Sequence, residues 1–199
     1  MTWREYPELK LPTILDVSLG EFAAHSYEAT SVRTIAKQVG VTVPALYYHF
    51  ENKQAILTAL LTHAMDIVIG HTEEALAEAG DDPRARLSAA IEAIVLYMTN
   101  HRDLAFLDTE IRSLTEDNRR DYTARRDQLE GMVIEAVADG CASGEFQTPL
   151  PRESSRAIMS MCLGIATWFR SDGPHSADEV ATQYVQIALD CVRATPSAA

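Results

Sequence analysis

The stretch from Ser31 to Phe50, SVRTIAKQVGVTVPALYYHF, has the pattern of two short helices that meet at a tight corner. Gly40 follows the first apolar series at the place where a helix commonly ends with a positive backbone φ. Thr42 can cap the second helix, and Pro44 suits its opening turn because a missing N–H costs little there. Two such helices joined by a short turn predict a helix-turn-helix, whose second helix lies in the major groove of DNA. The apolar residues of the first helix recur at helical spacing and are Val32, Ile35, Ala36 and Val39.

The second helix of this motif has one apolar face. Leu46 and Phe50 are spaced i, i+4, so we expect them to anchor the helix inward. Two residues of the opposite face have an alternative interpretation: Tyr48 could complete the core of the domain, and His49 could be an ordinary surface histidine. The outward residues are predicted to be Val43, Ala45, Tyr47, Tyr48 and His49.

The longer stretch SVRTIAKQVGVTVPALYYHFENKQAIL resembles the amino-terminal DNA-binding domain of TetR-family transcriptional repressors, and the match covers roughly the first sixty residues. Shared features are Phe22 in the first helix, a Leu-Tyr-aromatic-aromatic-Phe recognition helix, and Lys53 at the start of the next helix. Two residues depart from the family pattern. Ser26 stands where glycine often ends the first helix, and Val43 is apolar where a polar base-reading side chain is common.

The resemblance implies a set of residues that face DNA. Tyr47 and His49 can donate hydrogen bonds to phosphate, and Arg33 can pair bidentately with guanine. Val43, Pro44 or Ala45 could touch a thymine methyl group, and the shape of the DNA could supply part of the specificity. A lysine in the first turn opposes the helix dipole, which a DNA phosphate at Lys53 would explain. The implied DNA-binding residues are Arg33, Thr42, Val43, Pro44, Ala45, Tyr47, Tyr48, His49 and Lys53.

Length and charge limit the architecture. A chain of 199 residues and 22.0 kDa accommodates one sizeable helical body with a small additional domain. The net charge of −12 argues at first sight against a nucleic-acid partner and favours an oligomeric scaffold as an alternative. However, residues 1–53 hold five basic and six acidic side chains, so nearly all of the excess lies in the remainder. We expect an all-α fold: an N-terminal three-helix helix-turn-helix domain at 1–52 and a C-terminal helical bundle for ligand binding and dimerisation at 53–199.

The order of the remaining elements follows from apolar periodicity and caps. Residues 1–11 have no clear cap and are predicted to be a disordered arm, with entry into a DNA minor groove as the alternative. A loop is expected at 144–151, and a capping box at Ser176 and Glu179 starts the final helix. The predicted helices span residues 12–26, 53 to about 70 or beyond, 84–100, 101–114, 115–142 and two further helices near 158–169 and 180–192.

The last two helices carry more apolar surface than one partner helix can cover. Pairing them with their copies in a second subunit would bury both, which is the dimer that the resemblance implies. A twofold homodimer predicts a palindromic operator read by two recognition helices in successive major grooves.

A repressor of this type is released from DNA by a small-molecule effector, which the C-terminal body should hold. The flexible or aromatic residues of the body are candidates to line the site. The stretch GIATWFRSDGPHSADEVA at 164–181 resembles TetR-family repressors of fatty-acid and steroid breakdown that bind acyl-coenzyme A thioesters. Trp168 would stack on such a ligand, and Arg170 would pair with its phosphates. Alternatives are an ordinary core, arginines engaged in surface ion pairs, or a hydrophobic drug-like or aromatic effector. The candidate ligand residues are Tyr97, Met98, Phe106, Arg112, Met132, Met161, Trp168 and Arg170.

Catalysis is not expected. No histidine pair has i, i+4 spacing, and the sequence has no nucleophile elbow or phosphate-binding loop, so neither a metal nor a cofactor is predicted. Neither a membrane-spanning run nor a signal peptide is evident, which predicts a cytoplasmic protein. The three cysteines, Cys141, Cys162 and Cys191, are predicted to be small buried apolar residues. The rival metal-ligand set would be His63, His71 and His101 with Glu73 and Glu110.

Overall fold

The computed structural model describes residues 2–194, which form ten α-helices and one 3-10 helix. Among these residues there is no β-strand, only an isolated antiparallel bridge between Phe146 and Ala194. The expected all-α fold is therefore confirmed. The helices are α1 Thr13–Ala29, α2 Val32–Val39, α3 Val43–His49, α4 Lys53–Ala79, α5 Pro83–Asn100, α6 Arg102–Phe106, the 3-10 helix Leu107–Ser113, α7 Glu116–Ser143, α8 Pro151–Leu163, α9 Ile165–Trp168 and α10 Ala177–Cys191.

The chain forms two compact units, which differ from the predicted division at residue 52. The reading unit comprises Pro7–Asp66 and Asp103–Arg125. The body unit comprises residues 2–6, Ile67–Arg102 and 126–194. Two helices, α4 and α7, are continuous across the boundary. Helical periodicity continues unchanged through such a crossing, so the sequence pattern gave no sign of where each helix changes its partners.

The reading unit is built on the corner that the sequence predicted. Gly40 ends α2 in the left-handed region at φ 79°, and its N–H donates to the carbonyl oxygens of Ala36 and Lys37. Phe22 and Ile35 are buried in the core of this unit. Inside α1, Ser26 adopts φ 69° and ψ 160°, a positive-φ conformation that costs glycine less than any other residue. Ser26 is thus a strained residue at a break in the helix, and the hydroxyl of Thr30 donates to its carbonyl oxygen at 2.9 Å.

The body unit is organised around α5, whose residues from Ala89 to Thr99 are nearly all buried. Helices α8, α9 and α10 pack against α5. At the end of α7, Gly140 lets the ring of Phe146 approach so closely that a Cβ atom would lie 2.1 Å from it. The predicted capping box of α10 is confirmed. The Ser176 hydroxyl accepts from the N–H of Glu179 at 3.2 Å, and the Ser176 N–H donates to the Glu179 carboxylate at 2.8 Å.

Within the arm predicted at 1–11, residues 2–6 are not disordered, and Met1 lies outside the described residues. Residues 2–6 are docked on the body unit, and Trp3 is only 2% exposed. The sequence prediction was wrong because the partners of this segment lie far away in the chain, on α4 and α5. The cysteine prediction was correct for Cys162 but wrong for Cys191, which is exposed, whereas Cys141 is half-buried.

One described helix, Lys53–Ala79, is long and apolar enough by length and composition to cross a membrane, contrary to the expectation that no such run exists. Half of its most apolar stretch is buried inside the protein. Its apolar residues Ile56, Leu57 and Leu60 have no exposed surface. This composition is that of a core helix, and it is weak evidence for a membrane span.

Candidate nucleic-acid interface and effector region

The recognition helix α3 is fixed by its cap and by one buried anchor. The Thr42 hydroxyl accepts a hydrogen bond from the N–H of Ala45 at 3.3 Å, as a helix cap does. Leu46 is completely buried, while Tyr47 is 46% exposed and Tyr48 is 88% exposed. The alternative interpretation that Tyr48 completes the core is therefore wrong. Its ring lies close to the ring of His49, with the two ring centroids 5.5 Å apart.

Most of the other predicted DNA-facing residues are also exposed. Within residues 2–194 the exposed guanidinium of Arg33 makes no hydrogen bond or ion pair, so its donors are available to a ligand. Val43 is half-buried. The remaining members of the predicted set on α3 and its cap are exposed and are Thr42, Pro44, Ala45 and His49.

Lys53 is engaged inside the reading unit. Its Nζ donates to the carbonyl oxygens of Tyr27 at 2.7 Å and Thr30 at 2.9 Å, and it lies 4.1 Å from the centroid of the Tyr27 ring. These carbonyls are at the carboxy-terminal end of α1, where the helix dipole favours a cation. The unfavourable position of this lysine at the start of α4 is therefore explained by α1 and does not require a phosphate. Only one ammonium N–H remains for DNA.

The sequence gave no sign of a further set of hydrogen bonds inside the reading unit. The Gln54 side-chain oxygen accepts from the N–H of Thr115 at 2.6 Å and from the amide of Asn118 at 2.9 Å, while its amide donates to the Ser113 carbonyl at 3.1 Å. Glu110 accepts from the N–H of Tyr27 at 3.1 Å. These bonds fasten residues 103–125 to the end of α1 and the start of α4. The pairs are separated by about sixty or more positions in the chain, so no local pattern reveals them.

The predicted effector residues are divided between the two units. Tyr97 and Met98 are buried on α5, and Met132 and Met161 are half-buried in the same body unit. Phe106, half-buried, and Arg112, exposed, belong instead to the reading unit. The predicted set therefore does not lie in a single compact unit.

Trp168 and Arg170 lie at the surface of the body unit. The Trp168 ring is 48% exposed and stacks on Tyr184 of α10, with centroids 6.4 Å apart and planes inclined by 28°. Arg170 forms a two-pronged ion pair with Asp172, with both bonds at 3.0 Å. The Arg170 guanidinium holds the pKa of the Asp172 carboxyl below its usual value of 3.8, and Asp172 in turn raises the pKa of Arg170. The Asp172 carboxylate occupies two of the five guanidinium N–H donors, so a phosphate could use the other three or displace this exposed carboxylate.

The outer side of α10 carries an apolar stripe at helical spacing. Tyr184 is half-buried, Ile187 is 44% exposed and Cys191 is exposed. Their separations of three and four residues place them on one face of the helix. No group of three or more His, Cys, Asp or Glu side chains in the described part of the chain could hold a metal ion.

A recognition helix anchored by one leucine, with its polar and aromatic residues exposed, defines a helix-turn-helix DNA-binding protein. Residues 14–60 match the model of the tetR family of bacterial regulatory proteins, and residues 80–192 match the tetracyclin repressor-like C-terminal domain. The chain therefore belongs to the TetR family of bacterial regulatory proteins, as its sequence indicated.

Among the proteins to which this chain is similar are the following three. The transcriptional repressor KstR2 of Rhodococcus jostii is 28% identical over 183 residues, which cover 89% of this chain and 88% of the relative. The transcriptional activator FasR of Mycolicibacterium smegmatis is 36% identical over 177 residues, or 84% of this chain and 75% of FasR. The crystal structure of AibR in complex with isovaleryl coenzyme A and operator DNA is 26% identical, with a TM-score of 0.77, and covers 87% of this chain and 95% of AibR.

Proposed function

We propose that this regulator is a repressor that binds a palindromic operator as a homodimer and is released from it by an acyl-coenzyme A thioester. The observation that carries the DNA-binding part is the exposure of Tyr47 and Tyr48 on a helix whose only fully buried residue is Leu46. Two adjacent exposed aromatic side chains on one helix favour a binding surface. Tyr47 and Arg33 supply hydrogen-bond donors suited to phosphate and guanine.

The proposed dimer uses the last helices of the body unit. The stripe of Tyr184, Ile187 and Cys191 lies on the outer side of α10, and covering it with the same surface of a second subunit would remove this apolar area from water. Such an isologous interface repeats the same patch on both subunits. The twofold axis would then give two recognition helices and a palindromic operator.

The proposed effector class rests on chemistry and on the named relatives. AibR was crystallised with isovaleryl coenzyme A and operator DNA. In this chain, Arg170 supplies a guanidinium fork and Trp168 a half-exposed aromatic face, which suit a phosphate and an adenine ring respectively. The arginine is paired with Asp172 only at the surface, where an ion pair contributes little and is readily exchanged.

Release requires that the effector prefer one conformation of the protein. The body unit and the reading unit share α4 and α7, and Gln54 holds the beginning of α7 to the beginning of α4. A shift of α7 caused by a ligand in the body unit would therefore also displace the residues at the end of α1 and the start of α4. We propose this route for the response to the effector. We also propose that the protein is cytoplasmic and has no catalytic activity.

A hydrophobic drug-like or aromatic compound is the second candidate effector. It is favoured by the apolar residues Met132 and Met161, which are half-buried in the body unit and adaptable in shape. Such an effector has no phosphate and would not depend on Arg170.

Titration distinguishes these effectors. The full chain is bound to a fluorescent duplex that carries its operator, and isovaleryl coenzyme A, longer acyl-coenzyme A thioesters, free coenzyme A and the corresponding free acids are added separately. We expect release by at least one thioester and not by its free acid or by free coenzyme A. Unchanged binding with every thioester would contradict the effector proposal and leave DNA binding intact.

A further inference from the structure

The strap, which we define as residues 2–6, is held on the body unit by specific polar contacts. The Trp3 indole N–H donates to the Glu78 carboxylate at 2.8 Å, and the Trp3 carbonyl accepts from Nδ1 of His71 at 2.7 Å. The ring of Trp3 is almost fully buried. A buried tryptophan with its N–H and its carbonyl both paired is a well-specified anchor.

Arg4 fastens the strap to two helices at once. Its guanidinium lies 3.8 Å from the centroid of the Trp3 ring, donates to Glu78 of α4 at 3.0 Å, and makes two bonds to Glu92 of α5 at 2.7 and 3.2 Å. The carboxylates raise the pKa of Arg4 and Arg4 lowers the pKa of Glu78. Individually, such half-exposed ion pairs contribute little, but a bidentate pair that also covers an aromatic ring restricts the geometry of the segment.

Tyr6 closes the strap at its carboxy-terminal end. Its hydroxyl donates to the carbonyl oxygen of Ala93 at 3.1 Å, and its ring lies 4.6 Å from the His71 ring and 5.4 Å from the His101 ring between centroids. Burial raises the pKa of the Tyr6 phenol, and Glu92 adds to this effect. The anchored segment thus ends directly before Pro7, the first residue of the reading unit.

Residues 7–12 connect this anchor to the beginning of α1 at Thr13. Seven steps of chain from Tyr6 to Thr13 span at most about 25 Å. We propose that the strap is a tether that limits the movement of the reading unit and so pre-organises it for the operator; this rests on the proposed DNA binding. A tether that restricts the free protein reduces the ordering cost of association. The alternative is an amino-terminal arm that leaves the body unit to enter the minor groove. In that case Trp3 would become exposed when operator binds.

The first test uses tryptophan fluorescence to follow the position of the strap. Trp168→Phe leaves Trp3 as the only tryptophan, because the sequence contains two. We expect Trp3 to emit as a buried indole and to resist acrylamide quenching, both in the free protein and with operator duplex at concentrations where polarisation of a labelled duplex shows that the Trp168→Phe protein is bound. A Trp3 that becomes accessible on addition of operator would overturn the tether, since the arm would then have left its site.

The second test measures operator affinity with Trp168 in place. Arg4→Gln is compared with Lys10→Gln, which removes the same charge from an exposed residue outside the strap. We expect Arg4→Gln to weaken operator binding about tenfold and Lys10→Gln to change it less than about twofold. Deletion of residues 2–6 should weaken binding at least as much as Arg4→Gln.

The outcomes separate the tether from the proposed function. If the unaltered chain binds no operator, DNA binding itself is contradicted. If it binds and the deleted chain, still folded by circular dichroism, binds equally well, the tether is overturned. The same holds if Lys10→Gln weakens binding as much as Arg4→Gln, because a general electrostatic effect would then suffice.

Discussion

The Nζ atom of Lys53 lies 2.7 Å from the carbonyl oxygen of Tyr27, and the same ammonium is 4.1 Å from the centroid of the Tyr27 ring. One side chain at the start of α4 thereby completes the end of α1, next to the break at Ser26. The contact holds the supporting helix of the motif against the helix that leads into the body. Lys53 is therefore a structural element of the reading unit.

Lys53→Met should destabilise the protein by about 1–2 kcal/mol, because two helix-terminal carbonyls lose a charged donor. Lys37→Met removes the same charge from an exposed position on α2 and should have little effect. Urea unfolding followed by circular dichroism measures both changes. Equal stability of the two variants would show that the contact does not support the unit.

Arg170→Gln should weaken release by an acyl-coenzyme A thioester about tenfold, because the ligand loses a charge-assisted phosphate contact. Operator affinity without effector and the thermal unfolding midpoint should stay unchanged, since Arg170 and Asp172 are exposed. The matched control is Arg152→Gln, which alters another exposed arginine of the body unit. An unchanged response in Arg170→Gln would favour an effector that carries no phosphate.

The recognition motif could be predicted from sequence because its determinants are local. Gly40, Thr42 and the buried Leu46 act within a few residues of one another, and the structure confirms all three. The role of Lys53 could not be predicted, because its partners are 23 and 26 residues away on another helix. Composition likewise could not distinguish a docked strap from a disordered arm, since Trp3 is fixed by Glu78, 75 positions later.

The effector region was less predictable for a related reason. Aromatic and methionine residues suit both a ligand pocket and an ordinary core, and Tyr97 and Met98 are buried in the packed face of α5. Phe106 and Arg112 fall in the reading unit because the chain returns there after α5. Helical periodicity reports which face of a helix is apolar and does not report the partner that covers it.

Ile187→Asp should convert the protein to a monomer at micromolar concentration, because the proposed interface would have to bury an unpaired carboxylate. Thr182→Asp introduces the same charge at an exposed position on α10 outside the apolar stripe and should leave the dimer intact. Analytical ultracentrifugation gives the mass of each. A wild-type protein that is already monomeric, or an Ile187→Asp variant that is still dimeric, would contradict an interface at this stripe.

The docking of the strap on the body unit should depend on pH through the carboxyl group of Glu78. Hydrogen bonds from Arg4 and then Trp3 lower the pKa of this carboxyl below its ordinary value of 4.5. Its contribution is therefore complete above the ordinary value and is lost as the pH falls through the lowered one. In Trp168→Phe protein the Trp3 emission should move to longer wavelength in this acidic range, and in Glu78→Gln the strap should be weaker already at neutral pH. Glu92 and His71 also face the strap. The Glu92→Gln variant is therefore measured as well, to separate the effect of Glu92 from that of Glu78.

The most direct measurement is a nuclease footprint of the full chain on the DNA upstream of its own reading frame, repeated with Arg33→Ala and Arg120→Ala. Arg33 is exposed and unpaired within residues 2–194, whereas Arg120 pairs with Glu116 and Asp117 on α7. We expect protection of a palindrome whose half-sites are about 10 base pairs apart or a multiple of that, unchanged for Arg120→Ala and at least about tenfold weaker for Arg33→Ala. Absence of any protected sequence, or a footprint indifferent to Arg33, would contradict a twofold DNA-reading protein.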